Sequence, residues 1–213
     1  MFKLHNPLVV FDLEATVRTN EKGHSVHDEI LDLGAVFLDQ NLKPQGEFSS
    51  LVQVRTPLND FITRLTGIKP QDLEGQPTWP EVASRFLDWV QQLAQGKLKQ
   101  VRLCTWGSSF DITLLRRQFE DLNKEFPFSG TVIDVKSLCF LRQSLAGERT
   151  DKLDMDQLAK SWGLSQPEKR HRALPDAQLT AQLLLKVWSD LQGFWISQAE
   201  NKPWLHCQVL VTP

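Results

Sequence analysis

At 213 residues, 41% of them hydrophobic, the chain can bury one substantial core and leaves little over for a second independent domain. Its net charge of -2 excludes a global basic field of the kind that coats duplex nucleic acid, so any such contact must be local. Cys104, Cys139 and Cys207 are odd in number, far apart and without C-x-x-C spacing, which argues against a disulfide framework or a zinc site and fits a reducing, cytoplasmic setting. Near the N-terminus the only apolar run is Leu8 to Phe11, too short for a signal segment or a membrane span, so no membrane association is expected.

In chain order, Leu8, Val9, Val10 and Phe11 form a short β-prone run. Two more runs follow at 30–38 and 48–54, with polar and Gly/Pro-bearing breaks between them, as in an antiparallel meander. A helix is predicted after Pro77. Thr78 caps it, Pro80 suits its first turn, and Val82, Phe86, Trp89, Val90 and Leu93 recur at helical spacing. The pattern then predicts a strand over 101–106, a helix over about 109–122 and a strand over 131–134. Helices over roughly 135–145 and 154–162 and a long last helix over about 174–191 complete the series. Three meander strands followed by strands alternating with helices predict an α/β fold. Its mixed sheet would combine an antiparallel meander of three strands with two parallel strands, with helices on both faces. The main domain is expected over 1–192. An extension over 193–213 carries Phe194, Trp195, Trp204 and the β-prone run 208–211, and is expected to pack on the same domain, cover a sheet edge or pair two subunits in a homodimer.

The chemistry begins in Phe11-Asp12-Leu13-Glu14, where the period of two puts both acids on one face of the first strand. Two carboxylates that close raise each other's pKa unless a cation compensates, and hard divalent ions such as Mg²⁺ or Mn²⁺ are the natural partners. Taken alone, D-x-E reads more readily as the solvated face of an edge strand. Asp111 follows the strand at 101–106 and a Gly-Ser-Ser loop, in the opening turn of a helix, where an aspartate also simply complements the helix dipole. Sites in open α/β sheets collect at the carboxyl ends of strands, and both strands deliver acids to that edge. The last element is His171-Arg172-Ala173-Leu174-Pro175-Asp176, a loop histidine five residues ahead of an aspartate in the first turns of the last helix. An aspartate there can ligate a metal, and a histidine can take a proton from an attacking water. Alone, such a pair is common by chance.

Together, D-x-E on the first strand, an aspartate after a middle strand and H-x-x-x-x-D opening the last helix form a specific series, which resembles the DEDDh 3′ to 5′ exonucleases over roughly residues 7–190. The runs Phe-Asp-Leu-Glu-Ala-Thr at 11–16, Glu-Ile-Leu-Asp-Leu-Gly-Ala-Val at 29–36, Leu-Thr-Gly-Ile at 65–68 and His-Arg-Ala-Leu at 171–174 look most like the enhanced-RNAi type and KapD-like exoribonuclease branch. The sister group with tyrosine in place of the histidine is excluded, because the chain contains no tyrosine. The resemblance implies a ribonuclease-H-like fold and hydrolysis assisted by two divalent metal ions, Mg or Mn. By that resemblance Asp12 bridges both ions, Glu14 and Asp176 complete the ion holding the nucleophilic water, and Asp111 supports the other. His171 accepts the water's proton, so activity is expected to rise with pH as the histidine becomes neutral. The implied substrates are single-stranded RNA or DNA 3′ ends, RNA favoured, and the products nucleoside 5′-monophosphates. Leu65, Thr66, Gly67 and Ile68 would hold the terminal nucleotide, although they read equally as a helix end with Gly67 as its cap. Lys169, Arg170 and Arg172 flank His171 and are candidates for phosphate contact, as is Trp106 for base stacking, beside the plainer readings of solvated loop and core.

Overall fold

Leu8, Val10 and Phe11 do begin a strand, but the strand continues well beyond them in the computed structural model, which describes residues 4–19, 25–107, 109–151, 153–167 and 171–201. β1 spans Leu8–Thr19 and pairs antiparallel with β2, Ser25–Leu38. β2 pairs antiparallel with β3, Pro44–Leu51, while β4 (Arg102–Thr105) and β5 (Val132–Asp134) run parallel to β1. The sheet order is β3-β2-β1-β4-β5, the mixed arrangement that the pattern predicts. The first two strands are longer than their apolar runs, because pairing persists through polar residues such as Arg18, whose side chain is tied to Asp28 at 2.9 Å.

The helices are α1 (Asp60–Thr66), α2 (Trp79–Leu93), α3 (Asp111–Glu120), α4 (Val135–Leu145), α5 (Met155–Ser161) and α6 (Ala173–Asn201). α2 starts where its capping signal lies: the Thr78 N–H donates to Glu81 Oε2 at 2.6 Å, and Pro80 occupies the first turn. α6 passes without a break through Gly193 to Asn201, so the first part of the expected extension is helical. The expected strand at 208–211, Trp204, Lys169 and Arg170 lie outside the described residues. Among those that are described, no helix is long and apolar enough to cross a membrane.

Alternation along β1 divides the core in two. Val9, Phe11, Leu13 and Ala15 face α2 and α3, joining Val82, Phe86, Val90, Leu115 and Phe119. Leu8 and Val10 face the other way, into a second core with Cys104, Cys139, Leu158, Leu179, Leu183 and Val187 from β4 and α4 to α6. Trp106 packs against this second core. The faces therefore carry helices on both sides, each helix burying an apolar stripe.

The start of α6 comes closest to the sheet at Gly34, while Leu179, Leu183 and Val187 pack further along it. A Cβ added to Gly34 on β2 would stand 2.0 Å from the Leu174 nitrogen and 2.2 Å from the Ala173 carbonyl carbon, so only glycine admits the helix start this close to the strand. Gly34 lies directly across from Asp12 in the β1–β2 register. The close approach thus brings the first turns of α6 over the stretch of β1 that carries the acids.

Candidate active site

Asp12 and Glu14 occupy the β1 face that α6 covers, since Leu13 between them is buried in the opposite core. Asp12 is half-buried and Glu14 is 9% exposed. The β1–β4 ladder ends at Val10, paired with Cys104, and β1 runs on past its neighbour. Into the edge left there comes Asp111, the first residue of α3, whose Oδ1 accepts the Leu13 N–H at 3.0 Å. A carboxylate from α3 is thereby fixed to the peptide that separates the two β1 acids. Asp111 is 5% exposed, and burial pushes its carboxyl up to about 7, against the opposing pull of the Leu13 and Asp111 backbone N–H groups. The loop before it is braced: Gly107 takes a positive φ of 82° and its N–H donates to Asp134 Oδ1 at 3.1 Å, while the same oxygen caps α4 through the Lys136 N–H at 2.9 Å.

His171 and Asp176 arrive with α6. Asp176, 4% exposed in the first turns, accepts the His171 N–H on Oδ2 at 3.1 Å. His171 is exposed and has φ 58°, a left-handed conformation uncommon for a residue with a side chain. One ligand atom each from Glu14, His171 and Asp176 lies within 4.8 Å of the others, a convergence dense enough to hold a cation. Carboxylates brought this close and this deep repel one another unless positive charge is supplied, and their oxygens suit hard divalent ions.

The expected nucleotide-binding residues end α1. Gly67, with φ 71°, closes the helix by donating its N–H to the Thr63 carbonyl at 2.9 Å, and Ile68 is buried with Leu31, Ile62 and Leu73. Thr66 Oγ1 donates to the Ile62 carbonyl at 2.9 Å and accepts the Ile68 N–H at 3.1 Å, while Leu65 is half-buried. The helix-end role is thus present at Thr66, Gly67 and Ile68. Arg172 turns its Nε inward to Asp32 Oδ2, at 2.8 Å. Asp32, Gly34 and Asp134 all position this region, and reasoning from sequence did not single them out. The only signal was that Asp32 and Gly34 fall within the quoted run at 29–36.

A family model for RNase T exonucleases matches residues 9–184. The DNA polymerase III subunit epsilon of Aquifex aeolicus is 30% identical over 192 residues, covering 88% of this chain and 83% of that protein. The PolC-type DNA polymerase III of Caldanaerobacter subterraneus is 30% identical over 199 residues, covering 93% of this chain but only 13% of the polymerase's length. Among solved structures, the nuclease domain of 3′hExo, a DEDDh family member bound to rAMP, matches with a TM-score of 0.71 at 23% identity, covering 87% of this chain and 92% of that one. Escherichia coli exonuclease I in complex with a dA16 oligonucleotide matches with a TM-score of 0.66 at 16% identity, covering 85% and 41%.

Proposed function

The chain belongs to the RNase T exonuclease family, and from that premise we propose that it removes nucleotides one at a time from the 3′ end of a single strand, releasing nucleoside 5′-monophosphates. The observation that carries this reading is the convergence of Glu14, His171 and Asp176, within 4.8 Å, beside a buried Asp111 anchored to the β1 backbone. The donor set fits two divalent ions, Mg or Mn, with Asp12, Glu14, Asp111 and Asp176 as the residues that would hold them. When bound, such ions supply Lewis-acid stabilisation of the phosphate and a water acidic enough to attack.

The chain's own residues then divide the remaining work. His171, exposed at the mouth of the cluster, accepts the proton of the attacking water. Asp176 ties that histidine's backbone to the ligand set through the His171 N–H. Leu65, Thr66, Gly67 and Ile68 form the edge against which the terminal nucleotide rests, with Gly67 exposed and free of nearby atoms where a Cβ would stand.

The motif resemblance at 11–16, 29–36, 65–68 and 171–174 favours RNA. A DNA 3′ end is the second reading, supported by the DNA polymerase III subunit epsilon relatives. The distinction rests on contacts to the 2′-OH. Matched single-stranded RNA and DNA labelled at the 5′ end, incubated with Mg²⁺, Mn²⁺ or EDTA beside Asp12→Ala, test both. The expected result is a metal-dependent ladder shortening from the 3′ end and lost in the variant, with the faster polymer naming the substrate. Degradation of neither polymer with either metal overturns the reading.

A further inference from the structure

Asp32 is a charged residue that none of the catalytic steps uses, yet it is 1% exposed and lies directly across from Glu14 in the β1–β2 register. Residues paired in this way point to the same face, so Asp32 stands beside the acid cluster, and two residues along β2 from Gly34. Its Oδ2 accepts twice from the start of α6, from Arg172 Nε at 2.8 Å and from the Ala173 N–H at 3.3 Å. Oδ1 has no hydrogen-bond partner among the described residues. A buried carboxylate left half satisfied is costly, and burial does raise the Asp32 pKa, with Arg172 opposing it. A buried ion pair is weak evidence for stability in itself and is better attested as a device that selects one geometry.

The geometry selected is that of residues 171–173. The amides of a helix's first turn have no partner within the helix, and here one of them, on Ala173, is taken by an acid 141 positions away on β2. The next amide back along the chain but one, on His171, is taken by Asp176. Between them, Arg172 is clamped by its side chain, and His171 is held at φ 58°. We propose that Asp32 and Arg172 are a positioning pair, which seats the start of α6 on β2 and thereby aims the His171 imidazole at the water it deprotonates. Arg172 acts through Asp32, and its inward Nε serves this pair rather than a substrate phosphate. The inference rests on the exonuclease reading for its kinetic consequence, but its structural consequence stands apart from it.

The test compares Asp32→Asn, Arg172→Gln, their double variant and Arg172→Lys with the wild-type protein, on whichever labelled polymer the wild type degrades, at saturating Mn²⁺. Misaiming a proton acceptor lowers kcat by about tenfold to a hundredfold while leaving substrate binding nearly unchanged, so each single variant should lose kcat on that scale with KM within about twofold. The double variant should be no worse than the poorer single one, because both remove the same unit. Arg172→Lys keeps the charge but not the planar donor, and should fall with the others. In parallel, the imidazole carbon-bound protons of His171, followed by NMR in metal-free protein, should shift and broaden in Asp32→Asn and Arg172→Gln while the thermal transition stays cooperative.

A raised KM in Arg172→Gln with Asp32→Asn unaffected would make Arg172 a phosphate ligand and overturn the pair. Unchanged His171 signals in both variants would overturn it equally. If Asp32→Asn does not fold, the partly exposed Arg172 variants carry the same comparison. Should the wild type degrade neither polymer, the exonuclease reading fails by itself and the His171 signals still decide the positioning role.

Discussion

The two faces of the sheet are built to different standards from the same strand. Phe11 and Leu13 enter a core lined with rings, in which Phe48 and Phe86 meet at 5.3 Å between centroids and Phe86 stacks on Trp89 at 5.9 Å. The buried polar group at its margin is satisfied, with Trp79 Nε1 donating to the Gln118 carbonyl at 3.0 Å. On the other face, one residue out of step, Asp12, Glu14 and Asp32 collect under the start of α6, which itself carries Asp176. Both faces bury an apolar core, but the second also holds, at one end, charges that a compact fold would otherwise avoid. A strand's period of two lets a single segment do both.

The comparison predicts that substitutions on the two faces separate stability from activity. The largest stability loss is expected from Phe86→Ala, which empties the centre of the aromatic core. Denaturant unfolding should show a loss of about 3–5 kcal/mol, with the metal dependence of cleavage retained by the molecules that remain folded. A loss under 1 kcal/mol would deny the ring-lined face its role.

Next comes Gly34→Ala, at the contact between the faces' common sheet and α6. The added methyl meets backbone rather than a flexible side chain. The helix start must lift, at about 3 kcal/mol, and activity should fall more steeply than stability, because the His171 and Asp176 geometry is lost while the aromatic core remains. Wild-type cleavage rates in this variant would show that α6 does not need to sit on β2.

The smallest effect, and the one of opposite sign, concerns Asp111. Its folded-state pKa of about 7 lies above the ordinary carboxylate value, so the native state holds the proton more tightly than the unfolded chain. The associated stability is present at acid pH and is lost as pH rises through about 7, making metal-free protein less stable at pH 8 than at pH 5. Mg²⁺ or Mn²⁺ should reverse that slope. Asp111→Asn keeps an acceptor for the Leu13 N–H and removes the buried charge, so metal-free protein at pH 8 should gain on the order of 2 kcal/mol and lose its stabilisation by metal. Thermal melts across this range, with and without metal, decide it; a flat profile for the wild type would remove Asp111 as the source.

Much of this arrangement was legible along the chain, and the parts that were not share a cause. The period of two in Phe11-Asp12-Leu13-Glu14 and the capping signal at Thr78 and Glu81 are local properties, determined by residues a few positions apart. The ends of β1 and β2 were harder to read, since their outer pairs mix polar residues with Val17 and Val26 and owe their strand character to each other. The partnership of Asp32 with Arg172 spans 140 positions, and that of Asp111 with the Leu13 N–H spans 98. Sequence by itself determined which residues could be strand, helix, core or acid, because propensity and periodicity act over one or two turns. Only the tertiary structure decided which acids meet. That depends on where the sheet's register, the close approach at Gly34 and the packing of α6 on the second core set that helix down, and no local pattern carries that distance.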